Sequence, residues 1–296
     1  MTVQQQLPFG ATRHRVQPFR MGLLKWVGNK QRLAHEIASF FPSAMRTYRE
    51  PFAGSAAVLA TLAPPCGVAS DVFAPLIEIW RTLREDPELL KLWYAERWVF
   101  LREGDKVERY EKVKASYNAC PNGADLLFLC RSCYGGIVRF RRQDGYMSTP
   151  CGAHEPIHPK SFGRRVDEWK RRTAGVRFAL MDYREAMSQA ETGDFIYCDP
   201  PYSASQSILY GAQSFQLNDL YECIEACRSR GVNVALSIDG TKKSGKQSVS
   251  IDVPTGLFEE EVPIDCGRSM LRRFQMNGQS LEDERVSDRL LLTYRI

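Results

Sequence analysis

Asp199-Pro200-Pro201-Tyr202 is the segment of this chain best equipped for chemistry. It follows Phe195-Ile196-Tyr197-Cys198, a short apolar run bounded by Gly193 and the prolines, which reads as a buried strand. Two prolines fix two backbone angles and remove two N–H donors, so the neighbouring carbonyls stay in place as acceptors. Asp199 adds a carboxylate, and Tyr202 adds a flat stacking face. The set suits a planar group carrying an amine, such as adenine, whose NH2 can donate to the acid and to the Pro200 carbonyl. An ordinary loop with a chance Asp-Pro-Pro is the competing reading, and the rest of the chain must decide between them.

The elements that would position this motif alternate between strand and helix. Residues 48–52 read as a strand, 55–62 as a small-residue helix, and 67–70 as a second strand ending at Asp71. Further strands are expected over 176–181, 195–198 and 232–237, with a helix over 217–230. A last strand is expected over 290–294, with 258–264 as its partner. This alternation predicts an α/β fold with a doubly wound, mostly parallel sheet. Between the second and third strands the period becomes helical, over 76–84, 87–97, 106–115 and 125–133. The expected division is a flexible arm over 1–20, a sheet domain over 21–75 and 174–296, and an inserted helical domain over 76–173.

In open α/β sheets a ligand binds at the carboxyl ends of the strands, where strand order reverses. If the first and fourth strands are neighbours, Pro51, Phe52 and Gly54 share a crevice with Asp199. Gly54 permits a tight turn and close approach, and the helix starting near Ser55 points N–H groups at an anionic moiety. Asp71 stands where an acid binds ribose hydroxyls, although an Asp there also makes a good helix N-cap.

Composition narrows the class. Of 296 residues 44% are hydrophobic, and no apolar run is long enough to span a bilayer. Nine cysteines, an odd number spread along the chain, argue for reduced thiols in a cytoplasm rather than a disulfide framework. Cys130 and Cys133 have CxxC spacing, but no second pair or nearby His completes a zinc site. The net charge is only +5, yet Arg131, Arg139, Arg141, Arg142, Lys160, Arg164, Arg165, Lys170, Arg171, Arg172 and Arg177 crowd one stretch. That stretch is a candidate phosphate-binding surface, with a solvated helix face as the alternative over 161–172.

Taken in order, Leu24-Lys25-Trp26-Val27-Gly28-Asn29-Lys30, Arg49-Glu50-Pro51-Phe52-Ala53-Gly54-Ser55, Ala69-Ser70-Asp71 and Asp199-Pro200-Pro201-Tyr202 resemble the Dam-like DNA adenine methyltransferase family. The resemblance runs roughly from residue 23 to 294. It implies a Rossmann-like methyltransferase sheet and S-adenosylmethionine as methyl donor, with S-adenosylhomocysteine as product. It also implies double-stranded DNA as partner, no metal or membrane, and a cytoplasmic, nucleoid-associated protein. A companion restriction enzyme, a phage genome and a housekeeping role all fit.

Residue by residue, the resemblance implies cofactor contacts from Trp26, Lys30, Pro51, Phe52, Gly54, Asp71, Asp182 and Asp199. Lys30 would bind the cofactor carboxylate. Asp199, Pro200, Pro201 and Tyr202 would form the catalytic motif. The segment 130–141 resembles the family's DNA-entering hairpin. There Arg139 would read guanine, Tyr134 or Ile137 would wedge into the space left by a flipped base, and Lys25, Arg141 and Arg142 would contact DNA. Three positions depart from the pattern: Asn29 and Ala56 stand where relatives carry glycine, and Gly135 where many carry Asn. Ala153 and His154 replace the pair found in relatives that recognise GATC, so the target sequence stays open. An RNA or other amino-methyltransferase and a DNA-binding regulator without catalysis are the alternatives. The intact Asp199 motif argues against the regulator.

Overall fold

The computed structural model describes residues 14–141, 143–201, 215–239, 241–242, 247–248, 251–268 and 285–296. Tyr202 and Arg142 of the expected site lie outside them.

Strands β1 (Tyr48–Glu50), β2 (Gly67–Asp71), β3 (Val176–Leu180), β4 (Phe195–Cys198) and β5 (Asn233–Asp239) run parallel. A short hairpin, β6 (Thr241–Lys242) and β7 (Gln247–Ser248), stands apart from them. Two further strands, β8 (Glu260–Arg268) and β9 (Arg285–Leu292), join the main sheet antiparallel. The seven-stranded order is β3-β2-β1-β4-β5-β9-β8. The expected doubly wound sheet is therefore present, with β1 beside β4 and with the 258–264 segment paired to the last strand. All four residues of β4 are buried, as a strand covered on both faces requires.

Helices α1 (Ala34–Ala38) and α2 (Ala57–Leu62) precede the insertion. It contains α3 (Ala74–Glu85), α4 (Pro87–Arg102), α5 (Lys106–Ala119), α6 (Gly123–Ser132) and α7 (Pro159–Arg172). Helices α8 (Tyr183–Ser188) and α9 (Leu217–Ser229) return to the sheet. Sequence logic sets several starts: Asp86, Asp105 and Asn122 each accept a hydrogen bond from the backbone N–H three residues on. Among the described residues of the insertion, β pairing is limited to two isolated bridges, Cys133 with Cys151 and Phe140 with Met147.

Two expectations about organisation need correction. Phe19 is buried in the main core, tilted against Trp169 with the Arg172 guanidinium over its ring, so the expected arm over 1–20 ends before it. Sequence polarity hid this single anchoring aromatic. The insertion also shares the core of the sheet. Trp80 of α3 stacks on both Trp169 of α7 and Phe178 of β3, and one apolar cluster joins Tyr48, Ala69 and Val176 to Leu90, Tyr94, Phe128 and Phe162.

Candidate active site

Strand order reverses between β1 and β4, and a cleft of about 360 Å³ opens there at their carboxyl ends. Its lining includes Trp26, Lys30, Pro51, Phe52, Gly54, Asp71, Asp182, Asp199, Pro200 and Pro201. These residues come from five separate stretches of chain, and the topology brings them together.

The turn after β1 is shaped by Gly54, with φ of 45° and a backbone N–H donated to Asp71 Oδ2 at 3.0 Å. Its carbonyl accepts from Trp80 Nε1, and a Cβ there would meet the Trp26 ring at 3.5 Å. Asp71 Oδ1 accepts from Phe73 N at 3.1 Å, so this carboxylate ties the end of β2 to the Gly54 turn and to the start of α3. It faces the cleft; the N-cap of α3 is Phe73, with no side-chain cap, so Asp71 does not cap that helix. Asp182 caps α8 through Arg184 N. Helix α2 begins at Ala57, two residues later than expected, because Ala56 occupies the left-handed region (φ 49°, ψ 30°).

The electrostatic centre is a buried lysine. Lys30 is 7% exposed, and its Nζ lies 3.1 Å from Asp199 Oδ1 and 3.3 Å from Asp288 Oδ2. Burial alone would push this ammonium down in pKa; the two carboxylates outweigh it and hold the group above the ordinary lysine value. The expectation that Lys30 binds a cofactor carboxylate meets a geometry in which it already clamps two carboxylates of its own chain. Glu50 lines the same cleft, buried, with the Tyr48 hydroxyl donating to its Oε2 at 2.6 Å. Burial pushes its carboxyl up to about 8, the Tyr48 hydrogen bond opposes the rise, and the Asp199 charge adds to it. Neither Glu50 nor Asp288 was singled out from the sequence. Glu50 sits inside the Arg49-Glu50-Pro51 run and had a signal, as an acid ending a strand. Asp288 had none.

One wall is aromatic. Phe52 stacks on Tyr183 (5.1 Å between centroids), and Phe215 meets both rings edge-on. The Tyr183 hydroxyl is buried and has no hydrogen-bond partner among the described residues. Opposite it, Trp26 lies against Phe73, which in turn meets Phe140 at 5.5 Å.

Phe140 begins the second feature, a hairpin closed by the Phe140–Met147 bridge and by Arg141 N donating to the Tyr146 carbonyl. Tyr134 and Arg139 are exposed, Ile137 is half-buried, and Lys25 packs against Gly136 so closely that a Cβ there would clash with it. Lys25 and the hairpin therefore form one surface. Arg141 pairs with Asp144 in two-pronged fashion and lies over the Tyr146 ring. Part of the expected basic surface is internal or tied to neighbours, while Arg139, Lys160, Arg164 and Arg177 stay exposed. Arg131 is buried, donating to the Gly22 and Leu23 carbonyls, and Arg165 also donates to Gly22. Lys170, Arg171 and Arg172 are tied to Arg84, Glu168 and Ala60. Charge counted along a sequence does not separate arginines that hold carbonyls inside from those that face solvent.

The family model for D12 class N6 adenine-specific DNA methyltransferases matches residues 26–260. The chain belongs to this family. Among its relatives, the type II methyltransferase M1.LlaDCHI of Lactococcus lactis subsp. cremoris is 27% identical, over 72% of this chain and 79% of its own. The DNA adenine methylase of Vibrio cholerae serotype O1 is 26% identical over the same shares. The DNA N-6-adenine-methyltransferase of Escherichia phage P1 is 28% identical over 62% of this chain and 24% of its own.

Membership clarifies the departures from the family pattern in this DNA adenine methyltransferase. Ala56 adopts a left-handed backbone that suits the glycine the resemblance implies there, at a cost of roughly 1 kcal/mol for a residue with a Cβ. Ala56→Val is expected to lose more than about 2 kcal/mol of stability, because a buried β-branched residue tolerates this φ worst. Urea midpoints of the variant and wild type check it. Asn29 does not adopt a positive φ. Gly28 supplies that backbone (φ 75°), while Asn29 Oδ1 accepts from Gln31 N at 2.7 Å. Gly135 has φ of 65°, a conformation that Asn also enters readily.

Proposed function

We propose that this DNA adenine methyltransferase moves a methyl group from S-adenosylmethionine to the exocyclic N6 amine of an adenine flipped out of duplex DNA, leaving S-adenosylhomocysteine. The observation that carries the reading is Asp199-Pro200-Pro201 ending β4 beside the Gly54 turn, in the cleft where strand order reverses.

The cleft suits this donor. Its aromatic faces fit a purine, the Tyr183 hydroxyl, without a partner among the described residues, offers a hydrogen bond, and Asp71, Asp182 and Asp199 outnumber Lys30 and Arg184, which favours a cationic ligand. Trp26, Pro51, Phe52, Gly54, Asp71 and Asp182 would hold it. When bound, S-adenosylmethionine supplies a methyl group on a sulfonium that departs as a neutral thioether.

The chain supplies the rest. Adenine's amine is a poor nucleophile, since its lone pair is delocalised into the ring. Asp199 and the Pro200 carbonyl accept its two N–H bonds, turn the lone pair outward, and favour the positive charge that grows on nitrogen. The proton becomes acidic only as the new C–N bond forms, so Asp199 need not act as a strong base. Tyr202 stacks on the base, which is out of reach inside the duplex. On the hairpin, Arg139 reads guanine, Tyr134 or Ile137 fills the vacated space, and Lys25 touches the same DNA. Arg141 reaches DNA by leaving Asp144, and Arg142 adds a second charge. A cytoplasmic site of action on the nucleoid follows, and a companion restriction enzyme is one setting that fits.

Single-molecule sequencing of host DNA from cells expressing wild type or Asp199→Ala tests the reading. Modified adenine in one short motif, absent with the variant, is the expected result; no modified adenine with wild type would sink it. Arg139→Ala is expected to lose about 1–3 kcal/mol of discrimination at one base pair. Competition between cognate and singly substituted duplexes measures this, and unchanged discrimination would remove Arg139 from readout.

A further inference from the structure

We propose that Asp288 is a positioning residue for methyl transfer, acting through Lys30 on the Asp199 carboxylate. The inference rests on the function proposed above for Asp199. Asp288 lies on β9, in register with Asp239 of β5 and Ile264 of β8. Because β9 runs antiparallel, it delivers Asp288 to the sheet edge where the parallel strands end and where Asp199 follows β4. The Asp288 side chain is 13% exposed and is not part of the cleft lining. Its route to the cleft is the Lys30 ammonium, which it shares with Asp199.

The sharing matters for the chemistry. A carboxylate that receives the whole of a buried lysine's charge is a weaker acceptor and does less to favour positive charge on a neighbouring amine. Asp288 divides that charge. Lys30 still grips Asp199 Oδ1 and fixes the plane of the carboxylate, while Asp199 keeps more of its negative potential. Among the described residues, the other titratable groups facing this centre are Glu50 of β1 and Tyr197 and Cys198 of β4. Burial keeps Glu50 and Cys198 protonated at neutral pH in the free protein, so Asp288 is the second full negative charge at the lysine among the described residues.

Asp288→Asn in the full-length protein tests the idea. Its kcat is expected to fall about tenfold, with KM for S-adenosylmethionine within about twofold of wild type. Asp199 is expected to titrate at lower pH, because a repelling charge is gone and Lys30 turns wholly to Asp199. Carboxyl-carbon NMR reads that titration, with the Asp199 signal assigned by its loss in Asp199→Asn. Asp288→Glu is expected to restore both kcat and the titration. Asp288→Ser, neutral and smaller, is expected to shift the Asp199 titration in the same direction as Asp288→Asn. An unmoved Asp199 titration, an unchanged kcat, or a change confined to KM overturns the proposal. The NMR titration needs no turnover. A wild-type protein that transfers no methyl group would refute the proposed function while the coupling of Asp288 to Asp199 is still read.

Discussion

Asp199→Ala is expected to slow methyl transfer about a thousandfold or more, equivalent to about 4 kcal/mol in the barrier, while the chain stays folded and still binds S-adenosylmethionine. Two structural facts set this outcome apart from collapse of the site. First, Lys30 keeps Asp288 at 3.3 Å when Asp199 is gone, so the buried ammonium is not stranded. Second, the turn that shapes the cleft is held elsewhere, by Asp71 on Gly54 and by Trp80 on the Gly54 carbonyl. Asp199→Asn is expected to be slow as well, since an amide keeps the shape but not the charge that favours a developing cation. Single-turnover transfer to a duplex, calorimetry with the cofactor and urea unfolding separate the three properties. Transfer at the wild-type rate by Asp199→Ala would remove Asp199 from the reaction.

A second large effect lies in Glu50. Unfolded, this carboxyl ionises near 4.5; folded, burial raises it to about 8. Between these values the folded chain holds a proton that the unfolded chain has released. The stability lent by the neutral carboxyl is therefore full below about pH 4.5 and is lost as pH rises through about 8. Glu50→Gln keeps the shape and an acceptor for the Tyr48 hydroxyl but cannot ionise. It is expected to flatten the fall in stability across this window and to be more stable than wild type at pH near 8, by roughly 4 kcal/mol. Urea unfolding at several pH values checks it; a variant whose stability falls as steeply as that of wild type would contradict the assignment. The same group ties protons to ligand. A cation in the cleft favours ionised Glu50, so its binding near neutral pH is expected to release protons. Calorimetry in buffers of different ionisation heat measures that release.

Much of this architecture was legible because local patterns and global topology agree. Four apolar residues before Asp199, bounded by Gly193 and the prolines, favour a buried strand, and acids and glycines at strand ends mark the carboxyl edge of an α/β sheet. That is why the expected cofactor residues share one cleft. Features that depend on distant register were not legible. Asp288 reaches Lys30 only through the pairing of β9 with β5, which no motif near either residue announces. Arg131 looked like part of a DNA surface and instead holds carbonyls at Gly22 and Leu23. Phe19 looked like arm and is core. For Arg131 and Phe19 the deciding quantity is burial, which composition does not give.

The stack of Phe178, Trp80 and Trp169 has a consequence for how target choice can change. Because the helices bearing the hairpin are bonded into the core of the sheet, they do not form a cassette. Expressed alone, residues 76–173 would bare the apolar faces that Phe178 and Phe19 cover, and a graft of that block into a relative would have to match those faces as well. On the function proposed above, new specificity is reached instead by exchanging a few exposed side chains, such as Tyr134 and Arg139. Chimeras swapped at 76 and 173 are expected to be insoluble, and libraries confined to the exposed positions 134 and 139 to stay folded, whereas those that reach the buried Val138, Phe140 and Met147 are not.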